Sequence, residues 1–432
     1  MGHPNDDTDK HLRGSLTKQN KKLSRLKCSV HNYDWGIVGN NSQVARLFAL
    51  NSGSDIDPYK PYAELWIGTH ESGPSFVDHG NGRLESLSLK TWISDNPNLV
   101  LGERLLRSGA VLSAEKALSI QAHPDKDLAM VLHNSQSSVY RDDNHKPEMA
   151  LALTEFEALL GFISVKELMD VLCSVPEIVE LIGSGNAKQF LLVNEQYRDK
   201  NAKAVLQSIF SQLVLSSRNK IGAMISNIKS RLLPEMQKRK LTDKEQLVLR
   251  LESQCPADAG VIAAFLLSYV KLNHGEALYL GGNEPHAYIC GEYIECMANS
   301  DNVVRAGLTS KHRDIQTLLS MLKYTQGFPE ILRGVSLNPY TTRYLPPLDE
   351  FEIDLSILPQ ATSVVFPSVP GPSLFLFIKG KGAITAGISE NDNVEEGEVL
   401  FVPAHTEIRI TAESTELHLY RAGVNSRFFT IP

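Results

Sequence analysis

The chain is predicted to be mainly β, with a β-barrel interrupted by a helical insertion and followed by a second, barrel-like β-domain. Three observations carry this. Short strand-like runs fill residues 26–162 and resume at 275; helical periodicity is concentrated between those stretches; and the pattern of residues 275–281 is echoed at 397–403. The expected organisation is a disordered tail at 1–24, a first barrel part at 25–162, a helical insertion at 163–259, a second barrel part at 260–335 and a C-terminal β-domain at 336–432.

Composition sets the bounds. At 432 residues, with 42% hydrophobic and 22% charged residues, the chain reads as soluble and globular, long enough for about three domains. A net charge of −7 argues against general nucleic-acid binding, and an anionic ligand would need cations gathered locally, for which Lys146, Arg305 and Lys311 are candidates. Cys28, Cys173, Cys255, Cys290 and Cys296 are scattered and odd in number, without a Cys-x-x-Cys pair, so they read as reduced thiols of a cytoplasmic protein. The polar, basic start fits neither a signal peptide nor a membrane span.

Taken in order, strand texture begins at Cys28-Ser29-Val30 and is followed by an aromatic turn, Tyr33-Asp34-Trp35-Gly36; residues 44–50 space their apolar side chains for a helix. Ser164-Val165-Lys166-Glu167 is a capping box that opens the insertion with Leu168, Val171 and Leu172 at helical spacing. The period recurs at Val205, Leu206, Ile209, Phe210 and Leu213, then from Ile221 to Leu232, and Thr242-Asp243-Lys244-Glu245 caps a further helix. These stripes read as core packing. An apolar helix is expected over 261–272, after which β texture returns. Near the C-terminus, residues 373–378 predict a buried strand and 383–385 its return after a Lys-Gly-Lys-Gly turn; His405 has no partners at ligand spacing, so the second barrel reads as structural.

Three short segments carry the chemistry: Leu118-Ser119-Ile120-Gln121-Ala122-His123-Pro124, Asn144-His145-Lys146-Pro147-Glu148 and Asn283-Glu284-Pro285-His286. Side chains two apart on a strand share a face, so Gln121 and His123 project together while Ala122 faces away. Two imidazoles, a carboxylate and an amide oxygen suit a mononuclear zinc that keeps a position open for water or substrate. Each fragment alone is more often an ordinary core or turn residue; it is their combination that points to a metal. This requires Gln121, His123 and Glu148 to share a domain with His286 across the insertion.

Having reached these residues, together with Tyr62-Ala63-Glu64-Leu65-Trp66-Ile67-Gly68-Thr69-His70 and the run from Asp301-Asn302-Val303-Val304-Arg305 to Thr309, we note that the chain resembles the type I phosphomannose isomerases of the cupin superfamily, from about Leu26 to its C-terminus. The resemblance, which suggests a plant member, implies one zinc per chain held by Gln121, His123, Glu148 and His286, an essential arginine at Arg305, and a split cupin-like (jelly-roll) catalytic domain. The reaction it implies interconverts mannose 6-phosphate and fructose 6-phosphate, moving a proton between C2 and C1 through an enediol or enediolate. His145, Lys146, Glu295 and Asp301 are the candidate acid/base groups, and Arg305, Lys311 and Ser119 the candidate phosphate contacts, with Tyr288 as a further substrate contact. The expected partner is a phosphorylated sugar; no nucleic acid, membrane or obligate protein partner is indicated.

One segment departs from the family pattern. Where relatives carry a Pro-Phe-Leu-Phe-Lys strand before the zinc clamp, residues 105–116 are shorter and more polar, which predicts a weakened barrel wall beside Gln121. A catalytically impaired sugar-phosphate-binding cupin is therefore one alternative. A different metal-dependent cupin enzyme is the other, although Gln121 argues against the His-rich iron sites of oxygenases.

Overall fold

The computed structural model describes residues 23–78, 87–97, 108–192, 195–387 and 391–429. The expected disordered tail falls outside these residues except for Leu23 and Ser24, and Ser24 already begins strand Ser24–Lys27.

The barrel wall is a ten-stranded sheet. Its organising element is the long strand His286–Met297, whose first half pairs with Phe156–Phe162 and whose second half pairs with Ser108–Ala114 on one side and Glu148–Ala152 on the other. Two irregularities let one strand serve both walls. Its register against Phe156–Phe162 slips between Glu157 and Ala158, and Gly291 adopts φ +113°. A Cβ at Gly291 would lie 2.4 Å from the Glu155 carbonyl oxygen, so only glycine fits this bend. The slip also changes side-chain parity. Tyr288 and Glu295, an odd number of residues apart, consequently meet inside the barrel, with the Tyr288 hydroxyl donating to Glu295 Oε1 at 2.9 Å.

Ser108–Ala114 corrects the expectation of a missing wall. This strand pairs with both Glu64–Ile67 and the second half of His286–Met297, so it is central to the sheet; residues 105–107 of the departing segment lie outside the described residues. Polar Ser113 is tolerated there because its hydroxyl donates to Glu292 Oε1 at 2.6 Å. The buried cluster within this barrel includes Ala110, Ala114, Ala150, Ala152 and Ala158. Small side chains there leave interior space that Leu or Ile would fill.

Helices Val165–Ser174 and Asp243–Gln254 open on the predicted capping boxes, with both reciprocal hydrogen bonds formed at Ser164/Glu167 and at Thr242/Glu245. The predicted apolar stripes, from Leu168 to Leu251, are buried in one cluster that extends to Ile120 and Ala122 of the barrel. The helix expected over 261–272 is instead a short helix, Ala259–Ala263, followed by strand Leu267–Leu272 against Phe156–Phe162. A continuous apolar run has no period of its own, and the alternation of exposed Lys271 with buried Val270 and Leu272 marks the strand. The expected helix near residue 44 is Gln43–Ser52, capped by Ser42 and ended at left-handed Gly53.

Toward the C-terminus, strands Ser373–Lys379 and Lys381–Ala386 do not form the expected hairpin. The first joins a nine-stranded sheet and the second a four-stranded one, so the chain turns a corner between two packed sheets. The nine-stranded sheet is not purely C-terminal: it also takes Ser24–Lys27, Phe76–Asp78 and Leu87–Ser88 from the start of the chain. Arg421 is buried in this sheet, donating to Glu352 Oε1 at 3.1 Å and to Asp354 Oδ2 at 2.8 Å.

Replacing Gly291 by Ala should place a methyl group against backbone in a conformation L-residues rarely adopt, at a cost of about 2–4 kcal/mol. Chemical denaturation should show this loss, and a Gly291→Ala protein as stable as the parent would mean that the bend is not glycine-dependent.

Candidate metal centre and cavity

Strand Ile120–Ala122 lies between His286 and Arg305, with Gln121 as the cross-strand neighbour of both. Its flanking residues Ile120 and Ala122 pack into the insertion's core, as the alternation requires, while Gln121 lines the cavity on the opposite side. The loops that bear the ligands are fastened together: Asn283 N–H donates to the His123 carbonyl at 2.7 Å, and Asp125 N–H donates to Asn283 Oδ1 at 3.0 Å. Glu148 opens its own strand, paired to Leu280 and Met297. The topological requirement across the insertion is thereby met.

His123, Glu148 and His286 are each 1% exposed and offer ligand atoms that lie within 4.8 Å of one another. Each imidazole is fixed from behind by a backbone carbonyl: His123 Nδ1 lies 2.6 Å from Asn302 O, and His286 Nδ1 lies 3.1 Å from Glu284 O. Protonated Nδ1 leaves a lone pair on each Nε2, and both Nε2 atoms are buried without a hydrogen-bond partner, 3.3 and 3.4 Å from the Glu148 oxygens. Unmet buried lone pairs aimed at a carboxylate are a poor structural device and a good cation site. Ser119 Oγ donates to Gln121 Oε1 at 3.1 Å, orienting the amide; this is where the structure places Ser119, which was expected to touch substrate.

Beside this group lies a cavity of about 680 Å³. Three carboxylates line it, Glu148 and Glu295 buried and Glu64 half-buried. Burial alone would raise the Glu148 carboxyl, but Lys146, with Nζ 2.8 Å from Oε1, and His123 outweigh it and hold Glu148 well below the usual carboxylate range. Lys146 is itself lowered by burial but raised more by Glu148 and Glu295, so it stays charged. Burial and then repulsion from Glu148 push Glu295 up to about 8, and burial also raises Glu64, whose Oε2 accepts from Trp66 Nε1.

The remaining candidates separate clearly. Lys146, Glu295, Asp301, Arg305, Lys311, Ser119 and Tyr288 all line the cavity. His145, the other candidate acid/base group, is not among them: its Nε2 is 2.8 Å from Glu350 Oε1, a residue of the C-terminal part. His145 and Lys146 precede strand Glu148–Ala152, and their side chains go to different partners, Glu350 and Glu148. Tyr288 is less a free donor than a bridge, its hydroxyl 2.9 Å from Glu295 and 3.4 Å from Glu148. Arg305 is half-buried, and burial lowers its pKa; among the described residues no carboxylate pairs with it. An unpaired guanidinium facing a cavity is suited to an anion.

Sequence reasoning missed several participants. His70 is buried against Trp66 and its Nε2 lies 3.4 Å from Asp301 Oδ1. Asp142 accepts from Ser300 Oγ at 2.7 Å, Asp301 N–H at 2.8 Å and Asn302 Nδ2 at 3.3 Å, thereby fixing the loop whose Asn302 carbonyl holds His123. An acidic residue just ahead of a ligand motif was the only available signal.

Family models for the catalytic domain and the helical insertion domain of type I phosphomannose isomerase match residues 23–165 and 181–267. The chain is 53% identical to mannose-6-phosphate isomerase 2 of Arabidopsis thaliana over 99% of each chain. The chain belongs to the type I phosphomannose isomerase family. It is also 37% identical to mannose-6-phosphate isomerase of Saccharomyces cerevisiae, over 93% of this chain and 99% of that one. Among solved structures, a variant of phosphomannose isomerase from Salmonella typhimurium aligns with a TM-score of 0.78 at 26% identity, over 93% of this chain and 99% of that one. A mannose 6-phosphate isomerase bound with zinc and yttrium aligns at 0.77, with 26% identity and the same coverages. The interrupted barrel is thus a cupin fold with the family's helical insertion.

If Asp142 fixes the carbonyl that orients His123, Asp142→Ala should weaken metal affinity by about 10–100-fold while leaving the ligands themselves intact. Competition with a chromophoric chelator measures this; an unchanged affinity would show that the Asn302 carbonyl is held without Asp142.

Proposed function

We propose that this chain is a zinc-dependent aldose-ketose isomerase that interconverts mannose 6-phosphate and fructose 6-phosphate. The observation that carries the reading is the juxtaposition of the buried His123, Glu148 and His286 group with a cavity into which an unpaired Arg305 faces. Gln121 completes the proposed ligand set, being the cross-strand neighbour of His286. When bound there, zinc supplies a fixed positive charge and Lewis acidity beside the reacting oxygens.

The protein's own groups would divide the remaining work. Isomerisation removes a proton at C2 and delivers one at C1, building negative charge on the C1 and C2 oxygens on the way. Arg305 is the cation placed to balance that charge, with its guanidinium half-buried at the cavity. Lys146 and Glu295, at the buried floor, are the proposed proton-handling groups, and Asp301 beside His70 is the proposed partner for ring opening. Lys311 supplies positive charge for the phosphate. The walls contributed by the insertion exclude water from the charged intermediate.

The finer setting is part of the same proposal: a cytoplasmic enzyme supplying mannose 6-phosphate for GDP-mannose synthesis. None of the five cysteines is in a disulfide, and no helix among the described residues is long and apolar enough to cross a membrane.

A coupled assay for fructose 6-phosphate tests the reading directly. Activity should vanish on chelation and return when zinc is added back, and absence of activity in folded, zinc-loaded protein would overturn it. Arg305→Ala should lower kcat by about 10²–10³-fold, in the range seen when a charge-stabilising donor is removed, with zinc content unchanged by elemental analysis. Undiminished turnover in that variant would remove Arg305 from the mechanism.

A further inference from the structure

Asp258 lies at the end of the helical insertion, between Cys255 and helix Ala259–Ala263, which it caps. Its side chain does more than cap. Asp258 Oδ1 accepts from Gly260 N–H at 2.7 Å and from Leu308 N–H at 2.6 Å, and Oδ2 accepts from Thr309 N–H at 3.3 Å. One carboxylate thus binds a backbone donor of the insertion and two from the loop that follows Arg305.

That loop is in an unusual conformation and is held at several points. Strand Val304–Gly307 shifts register against Ile120–Ala122 between Arg305 and Gly307, a bulge of the kind that re-aims a side chain. Leu308, which is not glycine, has φ +53°, a conformation that persists only when its surroundings impose it. Arg313 Nη1 donates to the Ala306 carbonyl at 3.1 Å, securing the bulge from the other side. Backbone approaches backbone at Gly260 and Gly307: a Cβ at Gly307 would sit 2.6 Å from Gly260 N and 2.9 Å from Asp258 Oδ1. Contact this close lets a single carboxylate reach donors on both segments. On either side of the clamp stand Arg305 and Lys311, and Asp258 itself lines the same cavity.

We propose that Asp258 is a positioning residue for substrate: its carboxylate fixes the 307–309 turn so that Arg305 and Lys311 present a set, preformed pair of cations to the phosphorylated sugar. The insertion thereby shapes the anion-binding side of the cavity without contributing the cations of that pair. This inference rests on the isomerase reading, since it takes the phosphosugar as the ligand.

Electrostatics and positioning predict opposite outcomes. Asp258→Asn removes a negative charge from the wall of a cavity that takes an anion, which by Coulomb's law alone would tighten phosphate binding. If positioning governs, the amide points a donor at the Thr309 N–H, the turn relaxes, and binding weakens. The experiment uses full-length, zinc-loaded wild type, Asp258→Asn and Asp258→Ala. It reads KM and kcat for mannose 6-phosphate, the dissociation constant of inorganic phosphate from quenching of Trp35 and Trp66 at the cavity, and the melting temperature. For Asp258→Asn we expect KM and the phosphate constant each to rise about 10-fold, and kcat to fall by about 3–10-fold because the same turn carries Arg305.

A folded Asp258→Asn protein whose KM and phosphate constant are unchanged or lower overturns the proposal, even if its melting temperature falls. Should Asp258→Ala fail to fold, the isosteric Asn variant still decides. Wild type that binds phosphate but does not turn over mannose 6-phosphate would overturn the isomerase reading alone, and the phosphate constants would continue to test Asp258. Wild type that neither binds phosphate nor turns over the sugar would overturn both.

Discussion

Two carbonyl oxygens, those of Asn302 and Glu284, determine what the barrel interior can do. By engaging Nδ1 of His123 and His286 they leave each Nε2 as a buried acceptor facing Glu148. Neither imidazole can satisfy that atom by turning away without giving up its bond from behind. The need for a cation is thus built into the backbone geometry, and the supporting framework can be traced outward: Asp142 to the 300–302 loop, Asn283 to the His123 turn, and the bend at Gly291 to the strand that carries His286.

The charge arrangement around that point is deliberately incomplete. Glu148 and Glu295 are buried, with half-buried Glu64 and Lys146 beside them, while half-buried Arg305 has no carboxylate partner among the described residues. Acid is concentrated where a metal would sit and base where a phosphorylated, partly ionised sugar would lie. A chain with a net charge of −7 can therefore bind an anion, because the local field rather than the total is what the ligand meets.

How much of this could be read beforehand depended on the range of the interactions. Strand alternation and ligand chemistry are local and made a metal at Gln121, His123, Glu148 and His286 plausible, though the full proposed set needed the family resemblance; the two capping boxes were legible because each spans four residues. The family resemblance supplied Arg305. What could not be read was long-range or backbone-mediated: the carbonyls behind the imidazoles, the Asp142 and Asp258 carboxylates that gather distant N–H groups, and the corner that sends Ser373–Lys379 and Lys381–Ala386 to different sheets. The helix expected at 261–272 failed because an unbroken apolar run is compatible with either structure until its partner strand is known. The contact of His145 with Glu350 was equally out of reach, because it joins residues about two hundred positions apart.

The position of strand Ser24–Lys27 carries a consequence for how the molecule assembles. It lies between Phe76–Asp78 and Val399–Val402, and Arg25 reaches Glu398 across 373 residues of chain. During synthesis the nascent barrel would leave the ribosome with this strand's second edge unpaired, open to the wrong neighbour until nearly the whole polypeptide has emerged. Closure of the nine-stranded sheet is therefore a late, high-contact-order event, and the newly made chain is most vulnerable to aggregation before its last hundred or so residues arrive.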